Sequence, residues 1–241
     1  IQRGQLKDNG LKFETQVKAV HSGGNVENES RKLVCTGVDT LTIYISAASD
    51  WKVKEHAVYT KQQLLNAIAK PYAQLKRDHI ADYKKLFNRV EFNLTSADKA
   101  YDVPTDQRVE RVKKGNPDKY LTELLFHYGR YLLISSSRPG SLPANMQGKW
   151  NEHLKPLFGS GYKIEWTLPL IYSAADITQL PECKEPLIKM IDSAALVGRE
   201  VALNMYGYSG WTAHDFLSVF GNNAPTSQGL ESIPPMGAAW I

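Results

Sequence analysis

Tyr128-Gly129-Arg130-Tyr131-Leu132-Leu133-Ile134-Ser135-Ser136-Ser137-Arg138-Pro139-Gly140-Ser141-Leu142-Pro143-Ala144-Asn145-Met146-Gln147-Gly148-Lys149-Trp150-Asn151 is the stretch on which the reading of this chain turns. Its opening continues a helical pattern that starts at Tyr120, with Leu121, Leu124, Leu125, Tyr128, Tyr131 and Leu132 on a broad apolar face. So wide a face predicts a deeply buried helix. The periodicity stops at Ser135, and from there to Pro156 the chain is rich in Ser, Pro, Gly and Asn. Loops of that length inside a compact domain are usually functional or flexible.

Working outward toward the C-terminus, the chain stays helical with long loops. Leu168–Thr178 and Pro186–Tyr206 predict two more helices, the second opening on Pro186 in its first turn and stopping at Gly207. The closing run Pro234-Pro235-Met236-Gly237-Ala238-Ala239-Trp240-Ile241 is apolar with no polar tail and reads as a cut.

Working outward toward the N-terminus, Thr105–Lys114 predicts a short helix stopped by Gly115, and the polar stretch Ser96–Pro104 a domain boundary. Val90, Phe92 and Leu94 alternate as one brief strand. Before them, Ile80, Tyr83 and Phe87 share one helical face. An earlier helix carries Leu64, Leu65 and Ile68, with Thr60 and Gln63 placed as a capping box and Pro71 as its stop. The first fifty residues change period. Leu11, Phe13, Thr15, Val17 and Ala19 alternate with polar neighbours, as do Leu41, Ile43 and Ile45, with turn chemistry at His21–Asn25 and at Asp39. So few strands make no stable sheet with a core of their own, so more sheet is expected upstream. The expected fold class is mixed β then α: the end of an N-terminal β-sandwich (1–50), a helical linker with a returning strand (51–103), and paired buried helices that open an all-helical toroid (104–241).

Composition narrows the function. With 241 residues, 42% of them hydrophobic, the chain can bury a sizeable core as one large domain or two small ones. Five Trp and twelve Tyr tilt mildly toward sugar stacking or an interface, although ordinary core accounts for most such rings. The net charge is +4, and Lys52, Lys54, Lys84, Lys85, Lys113 and Lys114 are scattered, so no nucleic-acid partner is expected. No apolar run approaches the ~18 residues of a membrane span. The opening Ile1-Gln2-Arg3-Gly4 is neither a signal peptide nor a natural start, so the chain reads as trimmed. Cys35 and Cys183 form no CxxC and read as two buried free thiols; no metal site or cofactor is expected. Asn28-Glu29-Ser30 and Asn93-Leu94-Thr95 are sequons that matter only in a eukaryotic secretory setting. There is no Gly-x-Ser-x-Gly elbow, no His-Glu-x-x-His pair, and Gly207, Gly210 and Gly221 are too far apart to cradle phosphate.

The spacing of Gly-Arg-Tyr, the serine run, Arg-Pro-Gly, Pro-Ala-Asn and Gln-Gly-x-Trp-Asn within 128–151 resembles glycoside hydrolase family 95, the α-L-fucosidase and α-L-galactosidase group. Supporting similarities run in order along nearly the whole chain: Lys7–Phe13, His79–Tyr83, Leu86–Val90, Glu182-Cys183 with Glu185-Pro186-Leu187, Gly210–His214, and Pro235–Gly237. The resemblance implies an N-terminal β-sandwich, a linker and an (α/α)6 barrel with its site in the barrel mouth. It also implies hydrolysis, with inversion, of terminal α-L-fucosyl or L-galactosyl residues of an oligosaccharide or polysaccharide, and a periplasmic or extracellular setting. An inverting hydrolase needs a protonated acid at the leaving oxygen and a base ~6.5–9.5 Å away with a water between. In the family these carboxylates follow such motifs well downstream, beyond Ile241, so this stretch alone is expected to be inactive.

The resemblance is uneven at the site. The family's water-positioning asparagine pair falls on Glu165 and Thr167, and its His-His-Asn-Thr-Asp run reads His214-Asp215-Phe216-Leu217-Ser218. Expected substrate-binding residues are His214, Asp215, Asn145, Gln147, Trp150 and Asn151, whose amides and rings suit hydroxyls and sugar faces. Each has a plainer alternative: a structural histidine, a hydrogen bond that fixes the loop, a packed indole. Glu165 reads more simply as a loop surface residue, and Asp176 and Glu182 as caps or solvated charges. A non-catalytic carbohydrate-binding or scaffold protein derived from the same fold is the rival expectation.

Overall fold

The structure, a computed structural model, describes residues 1–30, 32–94, 102–148, 151–153, 156, 159, 161–225 and 237–240. The chain forms two compact units, Ile1–Ala81 and Asp82–Ile241. Strands precede helices, so the coarse class is mixed β then α.

In the first unit, β1 (Gln2–Gln5), β2 (Lys12–Ser22) and β5 (Thr40–Ser49) form an antiparallel sheet in the order β1-β2-β5. Between β2 and β5 the chain makes a separate hairpin, β3 (Asn25–Glu29) with β4 (Lys32–Thr36). The period-2 alternation is present as expected, and the register sets Val17 opposite Ile45 and Ala19 opposite Ile43. Helix α1 (His56–Ile68) covers the other face, the one carrying Glu14 and Gln16, and both of these are buried. The apolar face stays open, with Ile43 53% and Ile45 54% exposed. Alternation shows that the two faces of a strand differ; it does not say which one a helix will cover.

Burial beneath α1 works because the polar atoms there satisfy each other. Glu14 accepts from Arg3 Nε at 2.5 Å, from Gln16 Nε2 at 2.6 Å and from Thr60 Oγ1 at 3.3 Å. The Arg3 and Gln16 bonds hold the Glu14 carboxyl below its usual range despite burial. Thr60 is therefore not a cap. The helix begins four residues earlier, and Thr60 lies inside it, fully buried against the sheet. Cys35 also departs from expectation: it sits exposed on the β3–β4 hairpin, whereas Cys183 is buried.

Helix α2 (Tyr72–Phe87) ends in the second unit, which continues with α3 (Thr105–Lys113) and α4 (Lys119–Ser136). Then come β6 (Tyr162–Lys163), α5 (Thr167–Tyr172), α6 (Ala174–Ile177), a 3₁₀ turn at Pro181–Lys184, α7 (Glu185–Tyr206), β7 (Phe216–Leu217) and α8 (Gly237–Trp240). The single helix expected over 168–178 is two pieces, because the Ser173 N–H tightens back to Leu170 O. Gly207 ends α7 at φ +68°, a left-handed stop that costs glycine nothing. Asp118 caps α4 by accepting from the Leu121 N–H at 2.8 Å, while Arg108, buried, grips the same carboxylate with two nitrogens.

Two expectations fail on α4. Its buried side is Arg130, Leu133 and Ile134, while Leu125 is 69% exposed and Tyr128 is also open. The stripe ran almost all the way round, so neighbouring elements chose the covered edge. The second failure is the strand expected at 90–94, which is absent. Side chains of α4 take up that backbone instead: Arg130 Nη1 donates to Val90 O at 2.9 Å, His127 Nε2 to Phe92 O at 3.2 Å, and Leu94 N–H donates to Glu123 at 2.5 Å. With these three backbone groups bonded to helix side chains, the segment is held without strand pairing. Ser96–Pro104, the expected boundary, lies mostly outside the described residues.

Candidate functional site

The site is built on the loop after α4. Ser137 Oγ donates to Cys183 O at 2.7 Å, so the Tyr172 hydroxyl must donate to Ser137 Oγ, also at 2.7 Å. That leaves the Tyr172 oxygen free to accept the Ala144 N–H at 2.8 Å. One directional chain of hydrogen bonds thus ties the loop to α5 and to the turn before α7. Tyr162 adds a bond from its hydroxyl to Pro143 O at 3.3 Å. Burial pushes the Tyr162 phenol up to about 12 and raises that of Tyr172, so both remain protonated donors.

From Tyr162 the chain runs along β6 against β7, with Tyr162 opposite Leu217 and the Ile164 N–H on Asp215 O at 3.0 Å. The two strands touch closely because residue 161 is glycine: a Cβ there would sit 1.8 Å from the Phe216 ring. This pairing brings His214 and Asp215 beside Ile164 and Glu165. On the far side, Trp166 and Thr167 share a groove with Asn145. Residues about seventy positions apart in sequence therefore form one strip.

Within the strip, His214 is 1% exposed and both ring nitrogens are engaged. Its Nδ1 meets Asn223 O at 2.8 Å and its Nε2 meets the Tyr206 hydroxyl at 2.7 Å. A carbonyl can only accept, so in the neutral ring Nδ1 carries the proton and Nε2 accepts from Tyr206. Asp215 is buried. Glu165 is half-buried, and Thr167 is the first residue of α5. Asn145 Oδ1 and Gln147 Oε1 are shielded from solvent without a hydrogen-bond partner among the described residues. Asn151 is exposed and closes a small turn with His153, using both ends of its amide. Trp150 lies outside the described residues.

Away from the strip, Asp176 pairs with Lys184 at 2.7 Å, and Glu182 receives a two-pronged bond from Arg89 at 2.7 and 2.8 Å. Chemically, the strip offers amides, hydroxyls and an open indole, which suit sugar hydroxyls and a sugar face. Among the described residues no group of three His, Cys, Asp or Glu is placed to hold a metal ion, and no helix is long and apolar enough to cross a membrane.

Three of these residues escaped the sequence reading. Tyr206 ends the expected helix Pro186–Tyr206, and nothing in the sequence pattern around Trp166 or Asn223 distinguishes them. No periodic signal marks them; their roles come from β6–β7 pairing and from α7 lying beneath the loop.

The glycosyl hydrolase family 95 catalytic domain matches residues 71–241. The chain belongs to glycoside hydrolase family 95. Its family relatives include alpha-L-fucosidase 2 of Arabidopsis thaliana, 33% identical over 96% of this chain and 29% of that protein. The probable alpha-fucosidase A of Aspergillus niger is 38% identical over 75% of this chain and 23% of that protein. The counterpart of the same name in Aspergillus oryzae is 31% identical over 73% of this chain and 25% of that protein. The family 95 chain thus spans less than a third of the length of each of these curated relatives.

Proposed function

We propose that this chain is an internal stretch of an inverting α-L-fucosidase, one that removes terminal α-L-fucosyl or L-galactosyl residues from oligosaccharides or polysaccharides outside the cytoplasm. The observation that carries the reading is the family match across 71–241, which includes the whole strip described above. The relatives' printed names support the fucoside, and the directional bonds from Ala144 to Cys183 support a loop held still for a ligand. In this reading 1–50 closes a β-sandwich, and the open Ile43 and Ile45 face supports a missing second sheet. Residues 51–103 form the linker, and 104–241 open an (α/α)6 barrel whose acid and base come from later in the protein. Asn145, Gln147, Trp150, Asn151, His214 and Asp215 line or support the sugar site.

A second reading has specific support. Glu165 and Thr167 stand where the resemblance expects two asparagines to position the water, and both His214 ring nitrogens are already engaged. A carbohydrate-binding protein that has lost turnover fits those facts. The test is to assay the intact protein on an aryl α-L-fucoside, follow the released anomer by NMR, and titrate L-fucose separately. Turnover giving β-L-fucose supports the hydrolase; binding with no turnover leaves the carbohydrate-binding reading standing in its place.

A further inference from the structure

Asp82 lies within α2, and Arg89 follows just past its end, where the Asn88 and Arg89 N–H groups still fold back onto Lys84 O and Leu86 O. The two side chains are about two helical turns apart, so their opposite charges fall on one side. Each grips a neighbour of the bond that Ser137 makes. Arg138, the residue after Ser137, sends Nη2 to both oxygens of Asp82 at 2.8 and 2.9 Å. Glu182, the residue before Cys183, takes the fork from Arg89, whose Nη1 also holds Gln179 O at 2.7 Å. Between the two pairs lies the bond from Ser137 Oγ to Cys183 O. The pairs are close: the Arg89 bond does most to hold the Glu182 carboxyl below its usual range, and the charge of Arg138 adds to it. Arg138 is also where the site loop takes its direction. Arg138-Pro139-Gly140-Ser141 is a closed turn, with the Ser141 N–H on Arg138 O at 2.9 Å and the Arg138 N–H on Ser141 Oγ at 3.1 Å. Proline in its second place and Gly140 at φ +81° in its third suit a type II turn, which is stiff. The placement of Arg138 is therefore passed on toward Ala144 and Asn145.

We propose that Asp82 and Arg138 are positioning residues for the sugar site: their ion pair fixes the first turn of the site loop, and through the backbone it places the loop amides. The proposal rests on the glycosidase reading above. Two features favour positioning over plain stability. Both members are partly exposed, Arg138 by 32% and Asp82 by 58%, so the pair adds little to global stability. It also joins segments 56 residues apart, a helix and a loop, rather than neighbours within one helix. Asp78, one turn earlier in α2, pairs instead with Lys70 at 2.9 Å and supplies the comparison.

The test compares the intact protein with Asp82→Asn, Arg138→Gln and the double variant. It reads L-fucose affinity, KM and kcat on an aryl α-L-fucoside, Tm, and hydrogen exchange at the Ser141 and Ala144 N–H groups. Each single variant is expected to weaken L-fucose binding and raise KM about two- to fivefold with kcat kept. Exchange at both amides should quicken, while Tm stays within about 2 °C of wild type. The double variant should be no worse than either single one, because all three lose the same pair. Asp82→Glu should restore most of the affinity, and Asp78→Asn should bind like wild type. Should the protein bind without turnover, affinity and exchange decide alone. Wild-type affinity in both single variants overturns the proposal and leaves the glycosidase reading in place. Additive losses in the double variant overturn it too, as does a loss of affinity that comes only with a larger fall in Tm, which assigns the pair to folding. If wild type neither binds L-fucose nor hydrolyses the fucoside, the glycosidase reading falls and the positioning proposal falls with it.

Discussion

The hydroxyl of Tyr172 donates to Ser137 Oγ across 2.7 Å while accepting the Ala144 N–H, so one oxygen joins α5 to both ends of the site loop's opening turn. Its removal tests how firmly the loop is held. Tyr172→Phe keeps the ring packing but leaves the buried Ala144 N–H unpaired, a loss of about 1–3 kcal/mol. Tm should fall, and sugar affinity should fall with it if the loop positions Asn145. An unchanged Tm would mean that the loop finds another anchor.

Arg130 is buried with its guanidinium on Leu86 O at 3.2 Å and Val90 O at 2.9 Å, near the C-terminal end of α2. The partial negative charge of that helix end stabilises the cation, although burial still lowers its pKa. Arg130→Met fills the space but leaves two carbonyls unmatched, so a destabilisation of about 2–5 kcal/mol is expected. Arg130→Lys should rescue little, because one ammonium does not reproduce the planar fork. Chemical denaturation of the three proteins decides it; full rescue by lysine would show that charge alone suffices.

Gly198 lies inside α7, where alanine would normally add about 1 kcal/mol of helix stability. Here a Cβ would sit 2.4 Å from Thr212 O, part of the loop that carries His214. Overlap with backbone costs about 1–3 kcal/mol and should win, so Gly198→Ala is expected to lower Tm. A rise in Tm would mean that the loop moves aside freely.

The Arg89 pair holds the Glu182 carboxyl down to about 2. A depressed folded-state pKa contributes stability above the unfolded carboxylate value, ~4.3, and that contribution is lost as pH falls toward 2. Because the pair is partly exposed, screening limits the effect to less than about 1 kcal/mol. Between pH 5 and pH 2 the difference in Tm between wild type and Glu182→Gln should shrink. A constant difference across that range would remove Glu182 from the acid response.

His214 offers a test of role. His214→Ala leaves Asn223 O and the Tyr206 hydroxyl without their partner and should lower Tm by about 4–8 °C, on the order of 2 kcal/mol. If instead Tm holds and only sugar affinity drops, the ring contacts substrate directly and its two internal bonds are incidental.

The sequence by itself determined where elements lie and what family they belong to, because both are local. Alternation located β2 and β5, Gly207 marked the end of α7, and Gly-Arg-Tyr through Gln-Gly-x-Trp-Asn carried the family resemblance. Tertiary structure alone decided which faces are covered and which groups meet. Val17 and Ile45 looked like core yet stand open, while Glu14 is buried, because α1 crosses the opposite face and burial depends on what lies above a strand. Residues 90–94 looked like a strand, but pairing needs a neighbour, and Arg130, His127 and Glu123 reached that backbone first. Thr60 looked like a cap, but caps depend on where the helix starts. The strip joining Asn145, Thr167 and His214 was only partly foreseeable for the same reason: hydrogen bonds and pairings across long sequence separations set it, and no periodicity within a segment encodes them.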